Sequence, residues 1–175
     1  MEIRVTTHDG ITPDLSRKIR GLANRKPTLL AMGEAVVSLT KRAFLDPALR
    51  PASWPERKRK YAHPILQKSK QLRKTVHVGR ATSDSVEVGS AVEYAAVHQF
   101  GGKTKARVIR PSGKKALFWP GAAHPVKAVK HPGSVIPPRP FFPIRGTPKN
   151  AQLTQRANEA VARAAKRMVD AALKK

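Results

Sequence analysis

A chain of 175 residues without a single cysteine suits one domain with its own core, and it excludes disulfide frameworks, thiolate chemistry and cysteine-based zinc sites. Against 11 acidic residues stand 35 lysines and arginines, a net charge of +24 that repels copies of itself and attracts polyanions: nucleic acid, an anionic membrane or an acidic protein. Aromatic residues are only 5% of the chain, so its core rests mainly on Leu, Ile, Val and Ala.

In chain order, Ile3 and Val5 alternate and Asp9-Gly10 is a turn pair, which predicts a short strand within residues 1–12. The start Met1-Glu2-Ile3-Arg4-Val5 carries no apolar stretch after its charges and does not read as a secretory signal. Thr12 as N-cap, Pro13 at the first helical position, and Leu15, Ile19 and Leu22 at helical spacing predict a first helix. Pro27 interrupts it and opens a second, with Leu30, Ala31, Ala35, Val37 and Phe44 on one broad apolar face and Asp46-Pro47 as the stop. The apolar region at 29–39 is broken by Glu34 and falls short of a membrane span.

Residues 46–60 read as a loop with Pro47, Pro51 and Pro55, ending in the basic run Arg57, Lys58, Arg59 and Lys60. Trp54 inside it is expected to plug the loop onto the domain. After Pro64, the residues Ile65, Leu66 and Leu72 predict a short helix. Two valine-rich strands at 75–78 and 85–88, around a turn at 81–84, make the clearest hairpin of the chain. Residues 94–100 predict a helix stopped by Gly101-Gly102, with Tyr94, Val97 and Phe100 on one face and core packing as the expected role of Tyr94 and Phe100.

Residues 103–146 are irregular and rich in Pro and Gly, with strand-like pieces at 107–110, 116–119 and 126–129; a stretch of this kind reads as a functional loop or arm. Within it, Arg139 stands between Pro138 and Pro140 and is restricted to extended backbone, a stiff strut that runs into Phe141 and Phe142 and suggests a buried junction. Phe141 is expected to join the 94–100 helix in one cluster that anchors the arm. The chain then ends in a helix for which Thr147 is the expected cap and Pro148 the first residue. Its stripe is Leu153, Ala157, Val161, Ala164, Met168 and Ala172, opposite a solvated face of Arg156, Glu159, Arg163, Lys166, Arg167 and Asp170.

Charge is unevenly spread. No carboxylate stands between Glu93 and Glu159, the region that holds Lys103, Lys105, Arg107, Arg110, Lys114, Lys115, Lys127, Lys130, Arg139 and Arg145. This predicts proximity to a polyanion, without base-specific recognition. The residues Arg57, Lys58, Arg59, Lys60, Lys103, Lys105, Arg107, Arg110, Lys114 and Lys115 are the candidates to face DNA or an acidic partner. Catalysis finds no footing: acids that could converge are scarce, and no Gly-x-Ser-x-Gly elbow is present. The six histidines lack the paired short spacings of a zinc site, and Gly101-Gly102-Lys103-Thr104 lacks the spacing of a phosphate loop. No enzyme activity, metal or cofactor is expected.

The strand end Val88-Gly89-Ser90, then Tyr94-Ala95 and His98-Gln99-Phe100-Gly101-Gly102, an insert, and Pro138-Arg139-Pro140-Phe141 before a C-terminal helix occur in an order that resembles the phage virion morphogenesis family, the tail-completion and head–tail joining proteins of tailed phages. The segment from Phe44 to Trp54 and the excursion from Ala116-Leu117 to His131-Pro132-Gly133 are similar to the family as well. The family's small-Gly-x-Leu element is replaced here by Ser69-Lys70-Gln71-Leu72, and the glycine before the tryptophan is absent.

The resemblance implies an α+β subunit over residues 1–175 as a single domain: a small antiparallel sheet flanked by N-terminal and C-terminal helices, with a long basic Pro/Gly-rich arm at 103–146. It implies a structural protein of the phage neck that joins a ring of its own copies, expected to be a hexamer, and meets connector and tail-tube proteins, with genomic DNA in the channel and no membrane. Such a protein is made in the host cytoplasm and ends in the virion. The rival is a sequence-nonspecific nucleic-acid-binding protein acting as monomer or dimer; a nuclease ranks below both for want of carboxylates.

Overall fold

The computed structural model describes residues 16, 18–19, 23–57 and 60–174. The expected first strand lies outside the described residues, as does most of the expected first helix, of which Ser16, Lys18, Ile19 and Ala23 are helical.

Helix α1, Lys26–Ala43, carries its proline in the first turn, where a missing N–H costs nothing. Gly33, Val37, Thr40 and Ala43 recur at helical spacing and are buried. The hydroxyl of Thr40 is satisfied within the helix by donating to the Val36 carbonyl at 2.8 Å. On one side of α1 lies the hairpin of β1, Val76–Ala81, and β2, Val86–Ser90. A Cβ on Gly33 would stand 2.8 Å from Val86 Cγ2 and 3.1 Å from Val78 Cγ2, so glycine lets the hairpin lie directly on the helix backbone.

The hairpin occurs where alternating valines predict it, with each strand running further than expected. Val76 pairs with Ser90, Val78 with Val88 and Ala81 with Val86, with a bulge between Val78 and Ala81. Its turn is closed by Thr82, whose hydroxyl accepts the amides of Asp84 at 3.2 Å and Ser85 at 3.1 Å. Before it, the expected helix over Ile65 and Leu66 is reduced to one turn, α2, Gln71–Lys74. Leu66 and Lys70 take left-handed backbone (φ 59° and 57°), which no helix continues through. The reversal lets Gln67 reach back and donate to the Phe44 carbonyl at 2.7 Å inside the core.

Helix α3, Ala95–Phe100, is followed by short paired strands. Strand β3, Gly102–Lys103, pairs with β6, Val135–Ile136, and β4, Arg107–Ile109, pairs with β5, Val129–His131, both antiparallel. A bridge between Leu117 and Val126 continues the same pairing sense. Of the expected strands at 116–119 and 126–129, only Leu117 and Val126 in that bridge and Val129, the first residue of β5, are paired. No residue from 100 to 140 is buried.

The C-terminal helix begins later than Thr147 and Pro148 suggest. Strand β7, Ile144–Arg145, pairs with β8, Gln152–Leu153, around a turn in which Asn150 Oδ1 accepts the Thr147 amide at 3.1 Å. Helix α4, Gln155–Leu173, is capped by Thr154, whose hydroxyl accepts the Ala157 amide at 3.4 Å. It packs along α1 and buries Ala157 and Ala164. Arg156, Glu159, Arg163, Lys166 and Arg167 are exposed, and Asp170 is half-buried.

The architecture is α+β, with small open antiparallel sheets between N-terminal and C-terminal helices. Instead of the one sheet expected, there are four separate two-stranded ladders among the described residues. The core is set by Val37, Phe44, Trp54, Leu72, Val76, Ala95 and Phe141. Phe44 is its hub, 5.1 Å from the Phe141 ring and 5.8 Å, edge to face, from Trp54.

Candidate functional site

The segment 138–142 meets the end of α3 and the proline-rich loop, and each of its backbone N–H groups has a partner. Pro138 and Pro140 have no N–H to satisfy. The Arg139 amide donates to the His98 carbonyl at 2.6 Å, and the amides of Phe141 and Phe142 both donate to Gln99 Oε1 at 2.9 Å. The Pro140 carbonyl accepts from the Trp54 indole Nε1 at 2.7 Å. An extended strand is thus held against a helix end by one buried amide side chain and one indole.

Gly101 makes this approach possible. It ends α3 with φ +77°, and a Cβ there would sit 3.1 Å from both the Ile136 carbonyl oxygen and Pro138 Cδ. Gly102 then enters β3 opposite Ile136. Phe141 is 0% exposed and its cluster includes α3 through Ala95. The expected core role of Tyr94 and Phe100 is corrected: they are 42% and 36% exposed, because α3 turns Ala95 and Gln99, one helical turn apart, inward. Gln99 stands in the motif His98-Gln99-Phe100-Gly101-Gly102, but sequence reasoning did not give it a role in anchoring the arm.

Around this joint the structure gathers cations. The Arg139 guanidinium donates through Nε and Nη2 to the Pro55 carbonyl, at 3.2 and 3.1 Å. Arg57 donates through Nη2 to the His63 carbonyl and lies over the Tyr61 ring, 5.2 Å from its centroid. Burial, reinforced by the charge of Arg57, lowers the pKa of Arg139. Burial, reinforced by Arg139, lowers that of His98, whose buried Nδ1 has no hydrogen-bond partner among the described residues. His98 also meets the edge of Tyr94, ring centroids 5.7 Å apart. Tyr94, His98, Arg139 and Arg57 line one cleft, while Phe100 and Phe141 do not.

The remaining basic candidates divide. Lys103, Lys105, Arg107, Arg110, Lys114 and Lys115 are all exposed on or beside the paired strands of 102–136, as are Lys127 and Lys130. Lys58 and Arg59 lie outside the described residues, and Lys60 is exposed. Arg57, expected to be a free loop cation, is half-buried and spent on His63 and Tyr61. Beyond Leu117 the paired strands end in Phe118 and Trp119, 67% and 45% exposed. Among the described residues no group of three or more His, Asp or Glu could hold a metal ion, and no helix is long and apolar enough to cross a membrane.

A family model described as the phage virion morphogenesis family matches residues 8–160, from ahead of α1 into the first turns of α4. No curated protein and no solved structure matches the chain.

Proposed function

The chain belongs to the phage virion morphogenesis family, and from that premise we propose that it is a ring-forming subunit of the phage neck. It is a structural virion protein of the tail-completion and head–tail joining kind, not an enzyme, and its interactions are with head and tail components of the phage. Our finer reading has the single domain 1–175 closing a ring of six copies between connector and tail tube. Made in the host cytoplasm, the subunit takes its place at the head-proximal end of the tail.

In this reading Tyr94, His98, Phe100, Gly101, Gly102, Pro138, Arg139, Pro140 and Phe141 form the joint that fixes residues 103–146 to the domain. Those residues act as a basic Pro- and Gly-rich arm that reaches neighbouring subunits or DNA in the channel. The observation that carries the reading is the family match across 8–160. It is supported by a run from 100 to 140 that contributes nothing to the core, holds no carboxylate and exposes its lysines. Prolines and paired strands keep such a segment stiff and lower the cost of ordering it on a partner.

The test is to produce particles in a host lacking this chain and to image them. Unjoined heads and tails, restored to joined particles by the purified protein, support the reading; joined infectious particles without it overturn it. The exposed cations at 103–115 also favour a second reading, a sequence-nonspecific nucleic-acid-binding protein. Mass measurement separates the two: a ring, alone or on purified connector, against a monomer or dimer that binds DNA and leaves particles unaffected.

A further inference from the structure

The cleft between residues 61–69, with Arg57, and α3 has a volume of about 370 Å³ and walls of one charge sign. Its ionisable lining includes Arg57, His63, Lys68, His98 and Arg139, and no carboxylate. Two guanidinium groups held near each other without a counter-charge raise each other's energy, and an incoming anion relieves it. Both are fixed by hydrogen bonds to backbone carbonyls, and Nη1 of Arg139 has no bond among the described residues. Nη1 of Arg139 therefore remains available to an incoming acceptor, whereas Arg57, with its Nη1 3.4 Å from His63 Nδ1, contributes its charge. His98 lines the same space.

The cleft also has an apolar side, formed by Ile65, Leu66 and Leu72, with Tyr61 and Tyr94 exposed at its rim. Leu66 holds left-handed backbone, an uncommon conformation for a branched side chain and one that concentrates at functional sites. Phosphate groups on DNA have no use for an apolar wall, whereas a peptide with alternating aliphatic and acidic side chains uses both halves.

We propose that this cleft docks an acidic, aliphatic peptide segment of a neighbouring virion protein. The inference rests on the neck reading above and gives it a contact surface. Charge complementarity selects the carboxylates, and the apolar wall selects a peptide over nucleic acid. The volume admits a few side chains and no folded domain.

The test uses the full chain and two probes, an acetylated pentapeptide of alternating leucine and glutamate and a short DNA duplex, each titrated while backbone amide and His98 ring resonances are followed. The peptide should shift resonances of 61–72 and His98. The duplex should shift those of 103–115 first. Lys68→Glu and Tyr61→Ala alter exposed rim residues that carry no core packing, and Lys68→Glu should weaken the peptide by about tenfold, as reversal of a charge beside a bound carboxylate does. Lys115→Glu, on the paired strands, should leave it unchanged.

Peptide shifts confined to 103–115, or equal peptide affinity in the Lys68→Glu protein, overturn the proposal. Duplex shifts centred on the cleft that outcompete the peptide overturn it in favour of phosphate. If Lys68→Glu and Tyr61→Ala proteins restore joined particles as well as the unaltered chain, the cleft is not the docking site while the neck reading stands. If particles join without any copy of the chain, the neck reading falls instead.

Discussion

Gln99 and Phe141 are joined by a buried hydrogen bond of 2.9 Å, and the same Gln99 oxygen also takes the amide of Phe142. A side chain from the end of α3 thus does the work of a paired strand for a segment more than 40 residues further along. The arrangement is costly to break, because a buried amide that loses its acceptor regains no water.

Gln99→Leu should therefore destabilise the protein by about 2–4 kcal/mol, since one buried and one partly buried N–H group are left unsatisfied. Gln99→Glu keeps an acceptor in place and should lose less at neutral pH. Urea unfolding of the two variants checks the order. If Gln99→Leu unfolds at the wild-type midpoint, the joint does not depend on this residue.

Phe141→Ala removes a fully buried ring that lies 5.1 Å from Phe44, and should cost about 3–5 kcal/mol. The loss should appear as a lower melting temperature and as failure to assemble into joined particles. Normal melting would remove Phe141 from the core.

On α4, Ala164 is buried against the rest of the domain while its neighbour Arg163 is exposed. Ala164→Arg should destabilise the isolated subunit by about 3 kcal/mol or more, through overpacking and burial of a charge. Arg163→Gln should change stability by less than about 0.5 kcal/mol. An Ala164→Arg protein that melts normally yet fails to oligomerise would assign this face to a subunit contact.

His98 should give stability a specific pH dependence. Its folded pKa is depressed by burial and then by Arg139, so below the free-imidazole value of about 6.5 the unfolded chain binds the proton more readily than the folded one. The contribution of neutral His98 is intact above that value and is lost as pH falls from it toward the folded pKa. His98→Gln should flatten the stability profile below about pH 6.5 relative to wild type. Identical slopes in both proteins would show that His98 protonates as easily folded as unfolded.

Lys114 and Lys115 are exposed and unpaired by any carboxylate of their own region. If they meet phosphates, replacing both by Gln should reduce the slope of log affinity for duplex DNA against log salt by about 2, with no change in sequence preference. An unchanged slope would exclude them from the DNA contact.

Read as a string, the chain already declared its local elements. Alternating valines are enough to specify a hairpin with one buried face, and Pro27 followed by apolar residues at helical spacing is enough to specify α1, because both signals are periodic and short in range. The helix at Tyr94 to Phe100 was legible from its spacing and its glycine stop, the strut from Pro138 to Phe141 from proline's fixed φ, and Trp54 as a plug from its place in a proline-rich loop. What only the tertiary structure decided was which side of each element faces inward. Tyr94 and Phe100 looked like core because they are large and apolar, yet α3 is only six residues long and turns Gln99 inward, where it accepts the amides of Phe141 and Phe142. Thr147 and Pro148 looked like a helix start, yet Ile144 found Leu153 across a turn, and that pairing moved the cap to Thr154. The cationic cleft draws on residues from 57 to 139, spaced without any period. Such groups meet only when the chain closes over long range, where burial and hydrogen-bond satisfaction outweigh local preference.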